Sequence, residues 1–169
     1  MSTFTIRIDQ SVAHIAEELA GITDDSSAAY GNQRVFPTMA EAINFAALVG
    51  FRAKRKRPIE TARKDPVRSS IFESNELQGY IYLLAVAETK EIEVLRDENF
   101  EESVQLYEEY AFGGFLEIEE WGKATGKPLF ERILNEMTAT AAKLQEDHKA
   151  QNAASKPVII KKKKSRASQ

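Results

Sequence analysis

The sequence predicts a mainly α-helical protein: a compact helical domain with a short N-terminal β-strand or arm and a disordered basic C-terminal tail. Three observations predict it. Apolar residues recur at helical spacing from Val12 to Leu144, interrupted by loop signals. Residues 3–8 alternate instead, with the period of a strand. From Gln151 the chain is small, polar and then lysine-rich, with nothing to bury. A chain of 169 residues is long enough for one domain with a real core or for two small modules. The expected division is 1–50 as a strand-helix-loop-helix module, 51–72 as a basic connection, 73–148 as an acidic helical module packed on the first, and 149–169 as the tail.

In residues 3–8, Phe4, Ile6 and Ile8 fall on one side and Thr3, Thr5 and Arg7 on the other, as in a half-buried strand. Asp9 or Ser11 caps the next element, where Val12, Ile15, Ala16 and Leu19 form a helical stripe that Gly21 ends. Residues 21–34 are polar, small and turn-rich, a loop. The helix that follows organises the chain. Thr38 and Glu41 have the spacing of a capping box. Between Met39 and Val49 only Glu41 and Asn44 are clearly polar, so this helix needs apolar cover on more than one side. Gly50 is expected to end it in a left-handed conformation, with Phe51 folding back. Arg52, Lys54, Arg55, Lys56 and Arg57 follow at once, and Pro58 and Pro66 break up the segment after them.

Residues 74–90 predict a buried helix through Leu77, Ile81, Leu84 and Ala85, followed by a short segment with Ile92 and Leu95. Phe100, Val104, Tyr107 and Ala111 share a face of the next helix, which Gly113 and Gly114 are expected to break. Phe115, Leu116, Ile118 and Trp121 then make one or two more apolar turns before Gly122. Pro128 suits the first turn of a last helix carrying Leu129, Ile133, Met137, Ala141 and Leu144.

Composition narrows the chemistry. There is no cysteine, so disulfides, thiolate zinc sites and cysteine nucleophiles are excluded. His14 and His148 lack metal-ligand spacing. No apolar run approaches a membrane span, and the N-terminus does not read as a secretory signal, so a soluble cytoplasmic protein is expected. The net charge of −3 conceals local asymmetry. Residues 52–68 hold Arg52, Lys54, Arg55, Lys56, Arg57, Arg63, Lys64 and Arg68 against Glu60 and Asp65. Residues 73–120 are dominated by carboxylates, with only Lys90 and Arg96 opposing them.

Catalytic patterns are mostly missing. Asp65 and the later Glu88-Thr89-Lys90 have the rough form of a metal-dependent nuclease, whose carboxylates hold a divalent cation while a lysine steadies the attacking water. Such enzymes place the E-x-K on a strand, whereas residues 77–88 have helical period. Gly113-Gly114 lacks the lysine and serine or threonine of a phosphate loop, and neither histidine has a triad companion. No cofactor is expected. The acids of 88–120 fall opposite the apolar stripes, as solvated helix faces do.

Two resemblances add to this reading. The order strand, helix, loop, apolar helix in the first third of the chain resembles the ribbon-helix-helix fold. There, two chains pair their strands into a ribbon for the major groove, which would make Thr3, Thr5 and Arg7 the base-reading face. The 21–37 connection is much longer than that fold's turn. Further along, the capped helix of 36–50 with its basic exit, the segment 67–72, the stretch AVAETKEIEVLRDEN at 85–99 and EEYAFGG at 108–114 resemble the Dnd-system-associated protein 4 family. This family is encoded beside bacterial DNA phosphorothioation genes. The resemblance implies a helical fold, a defence context, and no established catalytic residue.

The expected function is therefore a non-enzymatic accessory protein of an anti-phage system that binds DNA or a DNA-bound partner. The expected nucleic-acid contacts are Arg7, Arg52, Lys54, Arg55, Lys56, Arg57 and the tail lysines Lys161, Lys162, Lys163 and Lys164. Other defence-system proteins are the expected partners. A homodimer through Phe45, Leu48 and Val49 would give the apolar helix its further cover. The alternatives are an adaptor that uses the acidic helical face and, third, the metal nuclease.

Overall fold

A computed structural model describes residues 3–21, 34–123 and 127–154. Their order is β1 (Thr5–Ile6), α1 (Ala13–Ala20), α2 (Met39–Ala53), β2 (Val67–Arg68), α3 (Ser69–Ser74), α4 (Gln78–Thr89), α5 (Phe100–Lys123) and α6 (Leu129–Ala154), with short 3-10 turns before α1 and between α4 and α5. The fold is mainly α-helical, as the apolar spacing predicts. Residues Met1–Ile133 form one compact unit and Leu134–Gln169 a second. In the second unit, Met137 and Leu144 on α6 are exposed.

The core of the first unit is built on α2 and α5. The capping box forms: the Glu41 N–H donates to Thr38 Oγ1 at 3.2 Å, and the Thr38 N–H donates to Glu41 Oε2 at 2.9 Å. Ala40, Ala42, Ile43, Asn44, Ala46 and Ala47 are all buried, so the helix is covered on several sides; Leu48 is its exposed large apolar residue. The buried Asn44 accepts a 3.0 Å hydrogen bond from the Tyr107 hydroxyl of α5. Burial drives the Tyr107 pKa well above its ordinary value.

Glycine's role at the centre differs from the sequence expectation. α2 does not stop at Gly50, and α5 does not break at Gly113-Gly114. The left-handed residue that ends α2 is Lys54, with φ of 52°. A Cβ on Gly50 would lie 2.0 Å from the Tyr110 carbonyl oxygen, and one on Gly114 would lie 1.8 Å from that of Ala46. These glycines let two helix backbones touch without a side chain between them. Gly21 does end α1 in the left-handed region, with φ of 67°.

The N-terminal strand alternates as expected, with Ile6 and Ile8 buried and Thr3, Thr5 and Arg7 exposed. Its partner is β2 of the same chain, antiparallel, with Thr5 opposite Arg68 and Ile6 opposite Val67. In a ribbon-helix-helix dimer that partner would be a second chain. The basic connection continues the ladder: the Arg63 N–H donates to the Ile8 carbonyl at 2.8 Å and the Gln10 N–H to that of Thr61 at 2.8 Å. The buried Asp9 carboxylate accepts from the backbone N–H groups of Ser11, Glu60 and Thr61. The segment after Pro58 is thus tied down along residues 4–10.

Candidate nucleic-acid interface

The chain leaves α2 by crossing α5. The Arg55 N–H donates to the Gly50 carbonyl at 2.9 Å, and the Arg57 N–H donates to the Glu109 carbonyl at 3.0 Å. A Cβ on Gly113 would lie 1.8 Å from the Arg55 carbonyl oxygen, so this crossing also rests directly on helix backbone. The turn therefore lies across the acidic face of α5, and its cations form two overlapping groups, with Lys56 in both.

The first group is engaged by carboxylates of the same chain. Arg55 donates to Glu120 at 2.8 Å and to Glu117 at 3.1 Å. The bond to Glu120 raises the Arg55 pKa, and the same pair holds the Glu120 carboxyl below its usual range. Lys56 approaches Glu109 at 3.9 Å while remaining half-exposed. Arg7, on the outward face of β1, grips Glu108: its backbone N–H donates at 2.6 Å, Nε at 2.9 Å and Nη2 at 2.6 Å. Glu108 is only 1% exposed, and burial raises its carboxyl pKa against the pull of Arg7. Arg63 joins Glu17 of α1 at 2.9 Å. The guanidinium groups of Arg7 and Arg55 thus brace the fold, because α5 presents carboxylates where these two chains pass.

The second group faces outward. Arg52, Lys54 and Lys56 line a hollow of ≈ 660 Å³ between the ends of α2 and α4, and Lys90 lines it from the other side. Phe51, Ala87 and Tyr110 also line it, Phe51 and Tyr110 with ring centroids 5.4 Å apart, and Glu88 is the one carboxylate among the lining residues. Burial first, and the neighbouring Glu88 second, push the Tyr110 hydroxyl up to about 12. Lys54 and Lys90 are the left-handed residues that end α2 and α4, with φ of 52° and 64°. Lysines there complement the negative ends of two helix dipoles, each equivalent to about half a charge.

Arg57 is exposed on a different hollow, beside Pro58, Glu60 and Phe112. Lys161, Lys162, Lys163 and Lys164 lie outside the described residues. Lys90 is the contributor that the sequence reading missed. It stands among acids in the sequence, and only the convergence of two helix ends brings it beside Lys54. Glu88 and Lys90 are at the end of a helix, with Glu88 beside Tyr110, and among the described residues no group of three acidic or histidine side chains is placed to hold a metal ion.

The family model described as DNA sulphur modification system-associated protein 4 matches residues 7–155. The chain belongs to that family. The match begins just after β1 and takes in α1 and all of α6, beyond the 36–114 range of the motifs that carry the resemblance. As a family-4 protein, it is a phosphorothioation-associated accessory protein. No curated protein and no solved structure matches this chain. No helix among the described residues is long and apolar enough to cross a membrane.

Proposed function

We propose that this family-4 protein is a non-enzymatic accessory subunit of the sulphur-modification system, acting in the cytoplasm on the DNA backbone. Its contact surface is the corner formed by Arg52, Lys54, Lys56 and Lys90, with Arg57 on the neighbouring surface and the tail lysines adding long-range attraction. The observation that supports this reading is the convergence of Lys54 and Lys90, the residues that end α2 and α4, on one open hollow. Arg7 and Arg55 hold the scaffold and contribute little to binding. A backbone-directed surface of this kind gives weak sequence preference and a steep salt dependence. Mobility-shift titrations on a duplex over a range of salt concentrations test it. Lys54→Gln with Lys90→Gln should weaken binding and lower the salt slope by roughly 0.9 per lost phosphate contact. No binding by the wild-type protein at low salt, or an unchanged slope in the double variant, overturns the reading.

One observation favours a second, compatible role as a protein adaptor. α4 carries no charge before Glu88, yet Tyr80 and Leu83 on it are exposed, Leu83 by 65%. Ile92 and Leu95, in the turn packed against α4, are exposed as well. Glu73, Glu76, Glu91 and Glu93 border this surface in the sequence and are exposed. An apolar outer face among acids suits a basic protein partner from the same system. Co-purification that survives nuclease treatment and is lost with Leu83→Glu supports it; co-purification unaffected by that variant removes it.

A further inference from the structure

We propose that α6 pairs with the α6 of a second copy of this chain, antiparallel, along a seam of Leu134, Met137, Ala141 and Leu144. The inference is independent of the DNA-backbone and adaptor readings.

From Leu134 onward the helix belongs to the second unit. All four seam residues are exposed there, Leu134 by 53%, Met137 by 54% and Leu144 by 63%. They follow one another at intervals of three, four and three residues. That is the heptad repeat of a coiled coil, which keeps one narrow row of side chains facing a matching row on a neighbouring helix. A helix face that packs on a broad core carries a wider stripe than this. Toward the C-terminus the next position in the series is His148, so the apolar row stops at Leu144.

Charge points to a like helix as the occupant. Thr138, Thr140 and Gln145, which flank the row in this register, are uncharged. Glu136, Lys143, Glu146 and Lys149 fall at the outer heptad positions, away from a partner. Two copies therefore approach without opposing like charges. Asp147 is the one charge beside the row, and antiparallel pairing sends its two copies to opposite ends.

Side-chain size sets the direction. In a parallel, in-register pair, Ala141 would face Ala141 and Met137 would face Met137, one layer underfilled and the next crowded. Antiparallel pairing about a two-fold axis level with Ala139 puts Leu134 opposite Leu144 and Met137 opposite Ala141. Large then meets small, and the layers fill evenly. The contact is isologous, as a closed two-fold dimer requires. It also sets the two helix dipoles head to tail. Four layers make a weak dimer that concentration assembles and dilution dissolves.

Sedimentation velocity of the full chain over a wide range of concentration tests the association. Monomer and dimer should exchange, and Leu144→Ala, which removes a leucine from two layers, should weaken the dimer at least about tenfold. Crosslinking tests the direction. The chain has no cysteine, so Leu134→Cys and Leu144→Cys each carry a single thiol. In the antiparallel pair the two copies of residue 134 lie about 15 Å apart along the axis, as do those of residue 144, beyond the reach of a disulfide. Neither variant alone should crosslink under mild oxidation, and a mixture of the two should. A monomer at every concentration overturns the inference, and so does a dimer that Leu144→Ala leaves equally tight. Either variant crosslinking with itself, or a mixture that does not crosslink, overturns the antiparallel pairing.

Discussion

Gly114→Ala is the most informative single change in the scaffold. The added Cβ would lie 1.8 Å from the Ala46 carbonyl oxygen, 2.6 Å from its carbon and 2.9 Å from the Gly50 nitrogen. All three atoms are backbone, so no rotamer change relieves the clash. Restoring van der Waals contact requires α2 and α5 to separate by roughly 1.5 Å along that direction. Such a separation loosens the packing of Ile43, Tyr107 and Phe115 and pulls on the Tyr107–Asn44 hydrogen bond. Overpacking usually costs about 1–3 kcal/mol, and a backbone-on-backbone collision belongs at or above the upper end. Alanine's better helix propensity returns about 1 kcal/mol, leaving a net loss of at least about 2 kcal/mol. With a urea m-value of about 2 kcal/mol/M, the unfolding midpoint should fall by about 1 M. Gly79→Ala is the control. It is an exposed helical glycine whose added Cβ would meet nothing within 4 Å, and it should be neutral or stabilising by up to about 1 kcal/mol. A Gly114→Ala protein as stable as wild type would refute the close-contact account of α2 and α5.

Other expectations follow from the same framework. Tyr107→Phe leaves the buried Asn44 oxygen without its donor and should cost about 1–3 kcal/mol in denaturant unfolding. Asp9→Asn should cost about 2 kcal/mol near neutral pH, because the carboxylate accepts from three backbone N–H groups. Burial alone would raise the Asp9 pKa, but the hydrogen bonds from Ser11, Thr61 and Glu60 outweigh it and hold the folded value below the ordinary 3.8. The contribution of this group is therefore present above pH 3.8 and is lost as pH falls through the folded value, so wild type and variant should converge in acid. Arg55→Gln should lower stability by about 1 kcal/mol, given its part-exposed ion pairs, while leaving the salt slope of DNA binding unchanged. A lowered slope would return Arg55 to the contact surface.

Much of the fold is legible in the residues because the deciding interactions are local. Thr38 and Glu41 define a helix start by spacing alone, the alternation at residues 3–8 fixes which side of β1 is buried, and a helix as apolar as 39–49 must be covered. Gly50, Gly113 and Gly114 were not legible in the same way. Glycine serves equally where φ is positive and where a Cβ would not fit, and a single sequence does not separate the two uses. The signal that could have separated them is the small side chains nearby: Ala46 one turn before Gly50, and Ala111 just ahead of Gly113. The candidate interface divides similarly. Its sign is visible in residues 52–57, but Arg55 reads as available because its partners, Glu117 and Glu120, are more than sixty positions away. Lys90 is hidden in the sequence because its neighbours there are not its neighbours in space.

The glycine-mediated crossing also bears on how the cationic corner responds to a ligand. With helix backbone resting on helix backbone, and the Arg55 carbonyl seated on Gly113, the platform beneath Lys54 and Lys56 has little slack. An incoming anion meets a surface already set, so little ordering entropy is spent at encounter. Whatever grips that corner is mechanically coupled to the whole length of α5, and a pull on the turn becomes a pull on the core.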